Sequence, residues 1–211
     1  MGDYAERPDN WQGNKSQGTW EKKPYNGPRK KKVAEVEIPE LYKAVALFTN
    51  QGIPEEVKER AREVAKILEE HEFTLRTDTT SEIDDIFQSA ITRKEIYLPW
   101  KDFKGLDSPN YWPNDASKEV AKRYFPRFDE MKDTVKAFLS RNVRMVLGQK
   151  LKSNICLLIV WTADGAEKKV EKTVKTGLSA HGMSVAFDMK VPVFNLQHAD
   201  VASRLKHYLE I

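Results

Sequence analysis

The chain has 211 residues, of which 40% are hydrophobic and 32% charged, enough for one globular domain with a substantial core plus a tail. No apolar run approaches the ~20 residues that a membrane-spanning helix needs, and the N-terminus lacks the apolar centre of a secretory signal peptide. The single cysteine, Cys156, excludes a disulfide framework and a cysteine-based zinc site within one chain. We therefore expect a cytoplasmic protein in a reducing compartment.

The net charge of +3 is unevenly distributed. Residues 1–32 contain eight Lys or Arg against four Asp or Glu, a net charge of +4, which leaves −1 for the rest of the chain. A basic segment on a near-neutral body favours a polyanionic partner. Residues 1–36 show no hydrophobic period, and we predict a disordered basic tail there in the free protein, followed by one folded domain at 37–211.

Beyond the tail, apolar runs alternate with helical patterns. Short apolar runs predict strands at 42–49, 73–77, 94–100, 154–162 and 191–196. Apolar residues at helical spacing predict helices at 54–71, 81–91, 116–124, 127–147 and 199–209. Strands separated by helices predict an α/β fold, a mostly parallel Rossmann-like sheet with helices on both faces. Ligands of such sheets bind outside the carboxyl ends of the strands.

Several separated stretches match one family's pattern in their order and spacing: "IPEEVKERAREVAKILEEHEFTLRT", "KEIYLPWKDF", "RNVRMVLG", "WTADGAE" and "VPVFNL". They resemble the Rossmann-like SLOG superfamily, in particular its branch similar to the DNA-processing, recombination-mediator protein DprA, which is common in phages. The resemblance extends over residues 44–196. It implies the Rossmann-like fold, and it suggests that single-stranded DNA contacts a basic surface near the strand ends.

The loops that would line the family's nucleotide pocket depart from its pattern. A Gly-Ser-Arg turn is replaced by Thr49, Asn50 and Gln51. Two glycine-containing turns are replaced by Asp78, Thr79 and Thr80 and by Glu82, Ile83 and Asp84, of which Asp84 and the following Phe87 match the family. A later Gly-Gly-Thr-Gly is replaced by Gly177, Leu178, Ser179 and Ala180. All three loops have lost glycines or a cation.

These replacements disfavour a phosphate cradle. Glycine lets backbone N–H groups approach a phosphate closely, whereas Asp78 and Glu82 add negative charge where the phosphate would lie. Each like-charge contact near 4 Å costs roughly 1 to 4 kcal/mol, depending on screening. A simpler interpretation of 76–87 is a helix start, with Thr80 or Ser81 as the cap and acidic residues in the first turn. The degenerate pocket would still be formed by Thr49, Asn50, Asp78, Thr79, Thr80, Asp84, Asp164, Thr176, Gly177, Ser179 and His181.

The sequence offers little support for catalysis. The four histidines are far apart and lack metal-ligand spacing, so we expect no metal and no cofactor. A packing or surface role is favoured for His181 over general-base work. Asp164 could hold a ribose hydroxyl, although a role in a turn is favoured. The Pro-Gly-Gly loop and catalytic Glu of the superfamily's phosphoribohydrolases are absent, and we predict that the protein is not an enzyme.

The basic tail gives the strongest functional signal. Aromatic residues alternate with lysines there, and stacking on unpaired bases contributes ~1–3 kcal/mol per base, while the basic residues would bind phosphates. The candidate nucleic-acid-binding residues of the tail are Trp11, Lys15, Trp20, Lys22, Lys23, Tyr25, Arg29, Lys30, Lys31 and Lys32. In the body they are Arg76, Arg141 and Arg144. The alternatives are a solubilising tail or one that docks on another protein, and a role for Arg141 and Asn142 in holding their helix against the sheet.

Three functions remain open. The leading hypothesis is a non-enzymatic single-stranded DNA-binding protein that serves phage-type replication, recombination or transcription, in the host cytoplasm if phage-encoded. The second is a sensor of a nucleotide-derived small molecule in the remodelled pocket. The third is a module that recruits a polymerase or another replication or transcription protein.

Overall fold

The computed structural model describes residues 43–111 and 114–211, together with the backbone of 11–14 and 19–22. The chain divides into two compact units, Met1–Leu41 and Tyr42–Ile211.

In the N-terminal unit, β1 (Trp11–Asn14) and β2 (Thr19–Lys22) pair as antiparallel strands. Trp11 is opposite Lys22, and Gly13 is opposite Trp20. The prediction of disorder for the remainder of 1–36 lies outside the described residues. So do the binding candidates Lys15, Lys23, Tyr25, Arg29, Lys30, Lys31 and Lys32.

The second unit is built on a parallel sheet of five strands in the order β5-β4-β3-β6-β7. The strands are β3 (Ala44–Thr49), β4 (Thr74–Thr77), β5 (Lys94–Ile96), β6 (Leu157–Trp161) and β7 (Val193–Asn195). The two central strands, β3 and β6, are almost entirely buried, which explains why their sequences read as continuous apolar runs rather than alternating ones. The predicted α/β fold with a parallel sheet is confirmed.

Helices cover both faces of this sheet. One face packs against α1 (Glu55–Glu70), α2 (Glu82–Ala90) and α6 (Val201–Tyr208). The other packs against α3 (Asp115–Arg123), α4 (Asp133–Leu147) and α5 (Ser179–Asp188). Each face of the sheet has its own hydrophobic core, and alternate residues of β3 pack into the two cores. Val45 and Leu47 pack on the first face, and Ala46 and Phe48 pack on the second. None of the helices in the described part of the chain is long and apolar enough to cross a membrane.

Two helical predictions need correction. The helix predicted from 127 begins at Asp133, because Phe128–Glu130 forms a separate 3₁₀ turn. Helix α5 is absent from the elements that the sequence pattern predicts. It contains Gly182 and buries residues on most of its circumference, so it lacks the single apolar stripe that identifies a half-exposed helix.

The strand order places a switch point between β3 and β6. The chain runs outward from β3 through β4 to β5, then returns through α3 and α4 to start β6 on the other side of β3. The loops that leave the carboxyl ends of adjacent strands therefore diverge, and the gap between them is where ligands of such sheets bind.

Candidate functional site

A cavity of about 290 Å³ opens at the carboxyl ends of β3 and β4, beneath α4 and the start of α5. Its walls are mainly apolar, with amide and hydroxyl groups between them. The lining residues are Phe48, Thr49, Asn50, Gln51, Asp78, Thr80, Val135, Phe138, Leu139, Arg141, Asn142, Leu178 and Ser179.

In the loop between β4 and α2, the carboxylates of Asp78 and Asp84 accept hydrogen bonds from backbone N–H groups of the same loop. Ser81 caps α2, its hydroxyl accepting from the Asp84 backbone N–H at 3.2 Å. In return, Asp84 Oδ2 accepts from the N–H groups of Ser81 at 2.8 Å and Thr80 at 3.1 Å, completing a capping box. Of the two caps that the sequence allows, Thr80 and Ser81, the structure has Ser81.

Asp78 closes the same loop from the cavity side. Its Oδ1 accepts from the Thr80 hydroxyl at 2.7 Å and from the Thr80 N–H at 3.2 Å. Burial, and then the charge of Asp78, raises the pKa of Asp84 to about 6, although hydrogen bonds from Thr77 and Ser81 act in the opposite direction. The donors that a phosphate would need at this helix start are therefore bonded to aspartates of the chain itself.

Arg141 brings the only cationic group among the described lining residues. Its Nη2 lies 2.5 Å from Asp78 Oδ2, and both side chains are more than nine-tenths buried. Nη2 also donates to Asn142 Oδ1 at 3.1 Å, and the guanidinium lies 5.1 Å from the centre of the Phe138 ring. Nε and Nη1 have no hydrogen-bond partner among the residues that the structure describes. The charge of Arg141 is thus matched at the cavity wall, while part of its donor capacity is not used.

The third wall comes from the loop before α5. Asn50 donates to the Thr176 carbonyl at 2.9 Å and accepts from the Ser179 hydroxyl at 3.2 Å, which ties the end of β3 to this loop. Gly177 has φ +60°, and a Cβ there would lie 3.1 Å from the Asn50 amide. The glycine at this position therefore has a local structural reason.

Asp164, which is not one of the lining residues, binds two threonines of the same loop. Its Oδ2 accepts from the hydroxyls of Thr173 at 2.7 Å and Thr176 at 2.5 Å. Burial alone would raise the pKa of Asp164, but the hydrogen bonds from Thr176 and Thr173 outweigh it and hold the pKa well below its usual range. The arrangement fits a turn-holding role for this carboxylate.

The structure separates the predicted pocket residues into two groups. Those that line the cavity are Thr49, Asn50, Asp78, Thr80 and Ser179. Those that stand outside the lining are Thr79, Asp84, Asp164, Thr176, Gly177 and His181. His181 Nε2 lies 3.2 Å from the Ala121 carbonyl, and burial lowers the pKa of His181 to about 4, so the ring is neutral near pH 7. Its placement is that of a packing residue.

Two of the arginines predicted to bind DNA are buried in the body. Arg76 donates to Glu95 at 3.0 Å and to the Ser153 carbonyl at 2.7 Å. Arg144 donates to the carbonyls of Leu98 at 3.0 Å and Asn110 at 3.1 Å, and burial lowers its pKa to about 10. Both side chains are almost completely buried and their guanidinium groups join loops to the sheet, so neither offers a surface to DNA in this structure, although Arg144 Nε has no hydrogen-bond partner among the described residues. The third, Arg141, faces the cavity instead.

Sequence reasoning missed an aromatic cluster beside the cavity, which we define as Trp100, Phe103 and Phe138. The three rings pack edge to face, with centroids 4.9, 5.5 and 5.6 Å apart. Trp100 remains 39% exposed. The stretch "PWKDFKG" after β5 carries the only signal, two aromatic residues that are each followed directly by a lysine. Both lysines, Lys101 and Lys104, are exposed.

No protein-family model and no curated protein matches the sequence. Among solved structures, the chain is similar to DNA processing protein A from Helicobacter pylori, a protein described for its single-stranded DNA binding mode. The two are 16% identical, with a TM-score of 0.47, over 80% of this chain and 73% of the other.

Proposed function

We propose that this protein binds single-stranded DNA without catalysing a reaction on it. The observation that carries the proposal is the exposed Trp100 ring, backed by Phe103 and Phe138 and flanked by Lys101 and Lys104. Stacking on an aromatic ring requires an unpaired base, so this combination favours a single strand over a duplex.

The rigidity of the cluster supports this use. Trp100 contacts two other rings, and Lys104 Nζ lies 5.8 Å from the centre of the Phe103 ring. A ring that is already fixed loses little conformational freedom when a base stacks on it. The two lysines stand on the same loop, where they can bind the phosphates on either side of that base.

The N-terminal segment supplies a second set of aromatic and basic residues. The register of β1 and β2 places Trp11, Gly13, Trp20 and Lys22 at positions of one face of the two-stranded sheet, because directly opposed residues share a face. Two tryptophan positions and a lysine position on one face suit a strand whose bases stack while its phosphates are neutralised.

The wider role follows the same proposal. A sequence-tolerant single-strand binder of this kind would serve replication, recombination or transcription, of phage type as the sequence resemblance suggests, in the cytoplasm where the DNA is found. Its protein partners would belong to those processes.

The deciding experiment is fluorescence anisotropy with a labelled oligothymidine. Trp100→Ala is expected to weaken binding about 5- to 150-fold, the equivalent of the ~1–3 kcal/mol of one stacked base. Tyr208→Ala is the matched control, since Tyr208 is also an exposed ring that packs edge to face on another, at 5.5 Å from Phe194, but on α6. If both variants and the unchanged protein bind oligothymidine with equal affinity, the aromatic cluster does not contact the DNA.

Salt dependence tests the lysines separately. The double variant Lys101→Ala, Lys104→Ala is expected to reduce the slope of log affinity against log salt by ~1.4, about 0.7 for each phosphate that a lysine no longer neutralises. Deletion of residues 1–32 is expected to reduce it further. Absence of any salt-sensitive binding by the full chain would refute the proposed function as a whole.

A further inference from the structure

Three aliphatic side chains are exposed to water on the segment between β6 and α5. Val170 is 90% exposed, Val174 is 96% exposed and Leu178 is 84% exposed. No other large hydrophobic side chain that the structure describes is more than 58% exposed. Single apolar side chains on a surface need no explanation, whereas a group of them on neighbouring turns indicates an interaction site. The chain from Val170 to Leu178 spans at most ~30 Å even if fully extended, so one partner can reach all three side chains.

Hydrogen bonds order the backbone that carries these side chains. Lys169–Glu171 and Val174–Thr176 each form a 3₁₀ turn. Before the first turn, Glu171 Oε2 accepts from two backbone N–H groups, at 2.9 and 3.0 Å. Before the second, Asp164 Oδ2 accepts from the Thr173 N–H at 3.1 Å. Because the turns are already formed in the free protein, little backbone freedom is lost when a partner binds.

Lysines are interspersed among these apolar residues. The segment 168–178 contains Lys168, Lys169, Lys172 and Lys175 against Glu171 alone, a net charge of 4 − 1 = +3. Lys172 is half-buried: its Nζ donates to Ser184 Oγ at 2.5 Å, and burial lowers its pKa. Lys168 and Lys169 each lie 3.5 Å from a carboxylate but remain exposed. Lys175 is exposed and forms no ion pair within the described part of the chain.

We propose that the 168–178 segment is a docking surface for an acidic stretch of another protein, one that carries apolar side chains between its carboxylates. The carboxylates would pair with the exposed lysines, and the apolar side chains would cover the two valines and Leu178. Charge complementarity would steer the encounter and set its register, while the apolar contacts would hold the complex together. Trp100 and the lysines beside it lie outside this surface, so the proposal goes beyond DNA binding and does not depend on it.

The composition of the segment favours a protein over other anionic partners. Residues 167–178 contain no aromatic residue and no arginine, the side chains on which unpaired bases stack. A membrane surface binds amphipathic helices with a broad apolar face that includes Trp or Phe, whereas this segment consists of two single turns with aliphatic side chains. Valine and leucine gain most from burial against other apolar side chains, which a protein provides and a phosphate backbone does not.

An array of short synthetic peptides tests the chemistry of the partner, with the labelled full chain applied in solution. The peptides permute acidic, basic, neutral polar and apolar residues. Those that combine carboxylates with Leu, Ile or Phe are expected to bind best, and to lose about tenfold in affinity when either class is replaced by Ser. Selection of peptides without carboxylates, equal binding after replacement, or no peptide bound above background would overturn the proposal.

Two variants test the location, by fluorescence anisotropy with the peptide that binds best. Lys175→Glu and Val174→Asp change exposed side chains that do not line the cavity, so the fold should tolerate both. Each is expected to weaken peptide binding about tenfold. The matched controls are Lys152→Glu, at an exposed lysine before the amino end of β6, and Ile211→Asp, at another exposed aliphatic residue. Loss in neither variant, or equal loss in variants and controls, would place the contact elsewhere and overturn the proposal.

Three measurements on Val174→Asp distinguish the other occupants. The variant is expected to match the unchanged protein in its affinity for oligothymidine, in its cosedimentation with vesicles of phosphatidylcholine and phosphatidylserine, and in its sedimentation velocity. Weaker oligothymidine binding by the variant would make DNA the occupant, weaker vesicle binding would make it a membrane, and loss of self-association would make it a second copy of this chain. Each of these outcomes would overturn the proposal. The proposed function is judged separately, by whether the unchanged protein binds oligothymidine at all.

Discussion

Arg141 Nη2 lies 2.5 Å from Asp78 Oδ2, and the two side chains are 6% and 9% exposed. This pair joins α4 to the loop after β4, across the cavity that both residues line. The pair neutralises, within the chain, the one cationic group among the described lining residues. The site consequently has no net charge to offer at its centre, and its specificity has to come from shape and hydrogen bonds.

Removing the acid of this pair is expected to destabilise the fold strongly. Asp78→Asn leaves a buried guanidinium without its counter-charge, and breaking a buried pair from one side costs about 3–5 kcal/mol. In urea unfolding, the double variant Asp78→Asn, Arg141→Met should lose less stability than the sum of the single variants. Additive losses would mean that the two residues are not energetically coupled.

Arg144→Lys is expected to reduce stability rather than DNA affinity. Lysine cannot reproduce the fork that reaches both Leu98 and Asn110. The Asn110 carbonyl keeps the Leu98 N–H as a donor, whereas a buried Leu98 carbonyl left without a donor costs about 1–3 kcal/mol. Urea unfolding measures the loss, with the exposed Arg123→Lys as control. A variant with unchanged stability but weaker oligonucleotide binding would contradict the buried structural role.

Asp84 is expected to make stability fall as pH rises from about 4 to 6. Because its pKa is raised from 3.8 to about 6, the folded state holds this proton more tightly than the unfolded state. The contribution of the protonated group is complete below the unfolded pKa and is lost as pH passes through the folded pKa. Unfolding free energies of the protein and of Asp84→Asn at pH 4, 5, 6 and 7 should differ by an amount that declines over this range. A difference independent of pH would show that Asp84 titrates normally.

Gly182→Ala is expected to destabilise the protein despite its position within α5. Ala normally stabilises a helix interior by roughly 0.5–1 kcal/mol relative to Gly. Here, a Cβ would come within 2.5 Å of the Phe48 ring, which lines the cavity, and overpacking of this kind costs about 1–3 kcal/mol. Chemical denaturation gives the sign directly. A stabilised variant would indicate that Phe48 can move without loss, and the cavity would then be adaptable at that wall.

Sequence patterns predict the structure correctly where the structure is local. Ser81 and Asp84 form the capping box within four residues, and the alternation of apolar runs with helical stripes predicts the parallel sheet. Helix α5 gives no such signal, since a helix buried on most sides has no polar face against which an apolar stripe stands out. The aromatic cluster escapes sequence reasoning for another reason: Phe138 is 38 positions away from Trp100 in the sequence, and only folding brings their rings to 5.5 Å.

The sequence by itself determined the class of the fold and the helix start at Ser81. These depend on residue type and on spacings within one or two turns of chain. Only the tertiary structure decided which of the arginines can contact a ligand. Arg76, Arg141 and Arg144 look alike in the sequence, yet two are enclosed by carbonyls of distant loops and one meets Asp78 at the cavity. A charged group that is buried away from water needs an opposite charge or hydrogen-bond partners. Those partners come from parts of the chain that are far apart in sequence.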